Sequence, residues 1–206
     1  YSQPTTIEYD GTKKEIDEVI DAGAQIIMLP YYKSIDEVII FLSCVKGRCR
    51  TCLLIETKEA HQCLDDTLLL SDIDEYYIGL NDLHLAYNKR FMFELLTDGT
   101  VERLANIMRS KDIPYGFGGI ARLGYGLLPA EYVITEHYRL KSTSAILSRS
   151  FCNANEINDN DLLFETFEKE VRNIRDFEHK VSLYNQEQYL ENQETVKRLV
   201  REIANK

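Results

Sequence analysis

An α/β domain with a parallel sheet is the fold class that this sequence predicts, and three observations point to it. Five short, nearly continuous apolar runs recur along the chain, at residues 25–30, 51–57, 75–80, 113–120 and 144–150. Stretches with helical periodicity fill the gaps between them. The runs, such as QIIMLP and TCLLIET, lack the strict apolar–polar alternation of a half-exposed strand, as expected for parallel strands covered on both faces. Repeated strand-then-helix order of this kind is the mark of a parallel sheet.

Each element has its own local reason. Residues 12–22 predict an amphipathic helix with Ile16, Val19 and Ile20 on one face, stopped by Gly23. The first strand follows at 25–30. Ser34 is a good N-cap for a helix over 34–45 that places Val38, Phe41, Leu42 and Val45 on one stripe. After the second strand, 51–57, a helix is expected over 58–70. The third strand, 75–80, precedes a segment without strong periodicity and then a helix over 100–111. The fourth strand, 113–120, leads to a helix over 129–140, with Pro129 suited to its first turn. The fifth strand is 144–150. The pattern then changes. Residues 159–181 predict one long amphipathic helix with Leu162, Leu163, Phe167, Val171, Ile174 and Phe177 near helical spacing. Residues 187–204 predict a second, strongly charged helix with a thin stripe of Leu190, Val196, Leu199 and Ile203, which suits either a partner surface or a solvated end. The chain thus divides into a strand-and-helix body, 1–157, and C-terminal helices, 158–206.

Composition narrows the function classes. With 44% apolar and 28% charged residues the chain has an ordinary globular mix. No apolar run reaches the roughly 20 residues needed to span a bilayer, and Tyr1 to Asp10 is neither basic nor apolar enough for a signal peptide. The chain opens on Tyr1 and not Met, so a processed or truncated amino end is expected. A net charge of −10 argues against nonspecific nucleic-acid binding, but leaves room for a small anionic substrate. Five cysteines, an odd and sparse set, suggest a reducing cytoplasm. Cys49 and Cys52 form a C-x-x-C, but no second pair lies at zinc-finger spacing, so ordinary packing is expected of them.

Chemistry is expected at the carboxyl ends of parallel strands. The second run ends in Ile-Glu-Thr, which puts Glu56 there. The third ends in Gly79-Leu80-Asn81-Asp82, which puts Asp82 there. Two carboxylates on neighbouring strands would converge on a hard cation such as Mg²⁺ or Mn²⁺. Either acid alone is read equally as a helix cap or a first-turn carboxylate. His84, two residues past Asp82, is a candidate ligand or general base, or a histidine packed in the loop. The fourth run, PYGFGGI, brings Gly118 and its neighbours to a strand end, as a ligand approach or as a tight turn. Arg122 and Arg149 stand at the same rim, each as an anion contact or as surface. His61, His137 and His179 fall within helical patterns and read as structural.

These motifs together resemble the HpcH/HpaI aldolase and citrate-lyase-like family of the pyruvate/phosphoenolpyruvate barrel superfamily. The matching pieces are DAGAQIIMLPYYKSIDEV (21–38), LLIETKEA (53–60), YYIGLNDLHLAY (76–87) and YGFGGI (115–120). Their order and the spacing of the two acids are those of the family. The resemblance implies a (β/α)8 barrel of which this chain carries the last five strands, the run at 25–30 matching the family's fourth. It implies Mg²⁺ or Mn²⁺ on Glu56 and Asp82, with pyruvate's carboxylate held by backbone amides around Gly79, Asn81 and Asp82. Gly118 and Arg122 become further substrate contacts. Two family groups, an Arg that stabilises the enolate and a His that moves protons, would precede Tyr1. Leu54 stands where the family often has Gln. Residues 88–98 replace a short Gly-rich turn and include Arg90, Phe91, Met92 and Phe93. His84 stands where a small residue is expected, which makes it a candidate substitute acid or base.

The function so implied is a metal-dependent aldolase or lyase that joins a pyruvate-like 2-keto acid to an unidentified aldehyde, or cleaves the product. Family members are commonly ring-like oligomers with swapped C-terminal helices, so a homo-oligomer is implied too. Two alternatives stand beside it: an acyl-CoA C–C lyase, for which no basic cluster is evident, and a non-catalytic binding or assembly subunit.

Overall fold

The computed structural model of the protein describes residues 9–148, 151 and 160–206. It is an α/β structure whose five strands form one parallel sheet, curled into a half-barrel. The strands are β1 (Ile26–Leu29), β2 (Arg50–Ile55), β3 (Glu75–Ile78), β4 (Tyr115–Ile120) and β5 (Ser144–Leu147). They lie side by side in chain order, each paired parallel with the next.

The helices are α1 (Tyr9–Asp21), α2 (Ile35–Val45), α3 (Lys58–Gln62), α4 (Leu64–Thr67), α5 (Leu80–Ala86), α6 (Glu94–Thr97), α7 (Thr100–Ser110), α8 (Ala130–Leu140), α9 (Asn160–Ser182) and α10 (Gln186–Ala204). Local chemistry sets their ends. Gly23, at φ +94°, closes α1 as a Schellman cap, with Ala24 N–H donating to the Val19 carbonyl and Gly23 N–H to that of Ile20. Ser34 caps α2 by accepting from Glu37 N–H. A capping box of Asn185 and Gln188 opens α10.

One face of the sheet supplies Leu53, Ile55, Tyr76, Ile78, Tyr115 and Phe117 to the core, where they meet Val38, Phe41, Leu104, Met108 and Val133 from the helices. Side chains alternate along a strand, so Cys52, Leu54 and Tyr77 occupy the other face. Tyr77 binds three strands together. Gly116 pairs with Ser144 and Gly119 with Ile146, so β4 carries one extra residue, a bulge, at this point. The Tyr77 hydroxyl accepts from Ile146 N–H at 2.7 Å and donates toward the Gly118 carbonyl at 2.5 Å. Its ring can cross β4 only because Gly116 has no side chain: a Cβ there would lie 2.5 Å from Tyr77 Cε2. Tyr77→Phe leaves both backbone groups without this partner. It is expected to lower stability by about 1–3 kcal/mol, read as a fall in the urea midpoint.

Several expectations are corrected. The helix over 58–70 breaks at Cys63 into α3 and α4. The third strand stops at Ile78, and residues 80–86 form α5, because Leu80, Leu83 and His84 are buried at helical spacing. Of the thin stripe of α10, Val196 is buried, together with Val200, where α10 packs on α6 and α8, whereas Leu190 is exposed. Among the described residues no helix is long and apolar enough to cross a membrane, and Cys44, Cys49, Cys52 and Cys63 form no disulfide. The boundary at 157–158, Arg149 and Cys152 lie outside the described residues.

Candidate functional site

Glu56 directly follows β2. Thr57, not Glu56, caps α3: its hydroxyl accepts from Ala60 N–H at 2.9 Å and donates to the Tyr32 carbonyl at 2.8 Å. The Glu56 carboxylate is therefore free of capping and turns into a cleft. There it accepts from Tyr31 N–H at 2.8 Å. Tyr31 holds a left-handed conformation, φ +55°, to present that amide. A bulky residue in that region costs on the order of 1 kcal/mol, which marks the loop as shaped for the carboxylate.

Asp82 comes from the first turn of α5, after the adjacent strand β3. Burial and the nearby Asp82 carboxylate push Glu56 up to about 7, against the opposing hydrogen bond from Tyr31. Gly79 leaves room for the Glu56 side chain. A Cβ on Gly79 would lie 2.8 Å from Glu56 Cβ and 3.2 Å from Glu56 Oε2. Gly79→Ala is therefore expected to displace the Glu56 side chain and to cost about 1–3 kcal/mol of stability, read as a fall in the urea midpoint. An unchanged midpoint would show that the loop has room for the added methyl.

The two acids open onto a cleft of about 360 Å³ whose lining includes Tyr31, Lys33, Lys58 and Leu85. The repulsion that Glu56 feels from Asp82 would be relieved by a proton on Glu56 or by a cation between the two acids. Their all-oxygen chemistry fits a hard divalent ion, and Mg²⁺ in particular is held by one or two carboxylates with water and substrate in the other positions. A centre with three or more His, Cys, Asp or Glu ligands is not formed among the described residues.

The other expected site residues fall elsewhere. His84 is buried on α5, with Nδ1 hydrogen-bonded to the Leu80 carbonyl at 3.1 Å. Positions two apart on a helix lie on opposite sides, so the helix that brings Asp82, Leu85 and Ala86 to the cleft carries His84 away from it. Gly79 N–H donates to the Ile55 carbonyl at 2.9 Å and is not available to a ligand. Asn81 is exposed outside the cleft. Gly118, at φ +59°, serves the β4 bulge, packed under Leu80. Arg122 does not line the cleft and lies over the Tyr125 ring at 3.9 Å. His61 bonds the Tyr87 hydroxyl. His137 is buried, stacked on Phe117, and burial drives it down to about 3.

Tyr31, Lys33 and Lys58 were not singled out by sequence reasoning. Their one signal is position, since each follows closely on the carboxyl end of a strand. In comparisons with known proteins, no family model matches the chain and no curated protein matches it significantly.

Proposed function

We propose that Glu56 and Asp82 hold a divalent cation, Mg²⁺ or Mn²⁺, and that the protein is a metal-dependent aldolase or carbon–carbon lyase acting on a pyruvate-type 2-keto acid. One observation carries the proposal: two carboxylates from the ends of adjacent parallel strands meet in a cleft, and burial and mutual repulsion drive Glu56 up to about 7. The half-barrel is taken as five strands of a (β/α)8 barrel. Consecutive parallel order, curl and acids at the carboxyl ends of the strands all support that.

A bound cation supplies Lewis acidity toward the keto oxygen and so lowers the cost of an enolate. The chain's own groups set the geometry. Tyr31 N–H fixes the Glu56 carboxylate, and Gly79 leaves room for the Glu56 side chain. The first-turn amide of Asp82 has no helical carbonyl behind it and is assigned to the keto acid's carboxylate. A second reading, a non-catalytic metal-binding descendant, is favoured by one feature: with His84 turned away, no histidine lines the cleft among the described residues.

Proton NMR of the pyruvate methyl group in D₂O with Mg²⁺ separates the two, because enolisation needs no aldehyde. The expected result is Mg²⁺-dependent loss of the methyl signal that vanishes in Glu56→Gln. Mg²⁺ binding without exchange, both in this chain and in the product of its uninterrupted reading frame, would reject the lyase and leave the metal-binding descendant.

A further inference from the structure

We propose that Lys33 and Lys58 are the anion-binding residues of the Glu56–Asp82 cleft, the groups that hold the negative charge of its ligand. The inference rests on the reading of that cleft given above and adds the cationic contacts that it lacks.

Both lysines line the cleft with the acid pair. They arrive from different loops, Lys33 after β1 and Lys58 after β2, so the two strand ends that build the cleft each contribute one cation. Neither ammonium group forms an ion pair within 4.0 Å among the described residues, although Glu59 lines the same cleft and Glu37 stands close to Lys33. Each lies instead over an aromatic ring: Lys33 Nζ is 5.4 Å from the centre of Tyr31, and Lys58 Nζ is 5.7 Å from that of Tyr87. Such contacts hold a cation in place without neutralising it.

Their positions also oppose the local rule. Lys33 immediately precedes the N-cap of α2, and Lys58 is the first residue of α3. Carboxylates are favoured at helix starts and cations are not. Both helices follow the rule elsewhere, with Asp36 and Glu37 in the first turn of α2 and Glu59 in that of α3. Residues that break a local rule without an evident structural gain tend to mark functional sites. In a chain of net charge −10, two uncompensated cations beside an acid pair make the cleft bipolar. Groups for a cation and groups for an anion in one cleft together suit a small carboxylate that also chelates metal.

Calorimetry tests this without turnover. Mg²⁺ is titrated into the protein first, and oxalate is then titrated at saturating Mg²⁺. Three proteins are compared: wild type, Lys33→Gln/Lys58→Gln, and Lys111→Gln/Lys169→Gln, which makes the same charge change away from the cleft. In the cleft variant, Mg²⁺ is expected to bind about threefold more tightly, as repulsion is removed, and oxalate at least tenfold more weakly. The control variant is expected to match wild type in both. An oxalate affinity within twofold of wild type would overturn the inference while leaving the metal site standing. A parallel fall of both affinities would assign the lysines a structural role instead. Failure of wild type to bind Mg²⁺ would end the reading of the acid pair, and the inference with it.

Discussion

Glu56→Gln is expected to abolish Mg²⁺ binding and, in the same molecule, to stabilise the metal-free protein at pH 8. Glu56 is 5% exposed, and burial followed by the Asp82 charge raises it from 4.5 to about 7. A carboxyl group raised in this way binds its proton more tightly folded than unfolded. Its contribution is therefore complete below about pH 4.5 and is lost as pH rises toward 7. Above that the folded protein carries an uncompensated charge that costs on the order of 2–3 kcal/mol. Glutamine keeps the shape and removes the charge, so the stability difference between variant and wild type should grow from pH 5 to pH 7 and then level off. Saturating Mg²⁺ should reverse the ranking at pH 8, because only wild type gains from it, by about 2.7 kcal/mol at a hundredfold excess over Kd. Urea denaturation at four pH values, with and without Mg²⁺, reads all of this. A variant that is destabilised at pH 8 without metal would show that the acids do not repel each other in the folded state.

The second large effect is away from the cleft. Arg139→Ala should cost about 3–5 kcal/mol, because it strands a buried carboxylate. Glu136 is 1% exposed and meets Arg139 Nη2 at 2.8 Å. Arg139 Nη1 reaches on to Glu102 on α7 at 3.0 Å, and Asn192 Nδ2 on α10 donates to the other Glu136 oxygen at 2.9 Å. Three helices thus share one charged junction. A drop in melting temperature of roughly 10 °C is expected for a chain of this size. The paired change Arg139→Met/Glu136→Leu should recover most of the loss, since it leaves no lone charge behind. Equal loss in the single and paired variants would place the effect in packing instead of electrostatics.

The contrast between what the sequence showed and what it hid follows from the range of the forces involved. The strands were legible because each is written as a short continuous apolar run, and each of the five runs contains a strand, although the edge strands β1 and β5 are only partly buried. The acid pair was legible because strand ends are where such groups collect. Helix α5 was not: seven residues after an N-cap glycine are too few to establish a period against the neighbouring strand. That single miss put His84 beside Asp82, when a helix sends them to opposite sides. Arg122 was read as an anion contact or as surface, but a ring three residues along the chain holds it. Lys33 and Lys58 look like any surface lysine until two separate loops converge.

The hydroxyl of Tyr77 has a consequence for the order in which the sheet assembles. Every strand pairs with the next along the chain, so each can dock as soon as it is made, without waiting for a distant partner. The bond from Ile146 N–H to Tyr77 is the exception, skipping a strand and spanning 69 residues. It can form only after β4 has settled with its bulge between them. β5 is also the strand with the least buried side chains, so it is the one most easily peeled away. Hydrogen exchange at the Ile146 amide then reports on a single event, the seating of the last strand, while the other four keep the cleft in place.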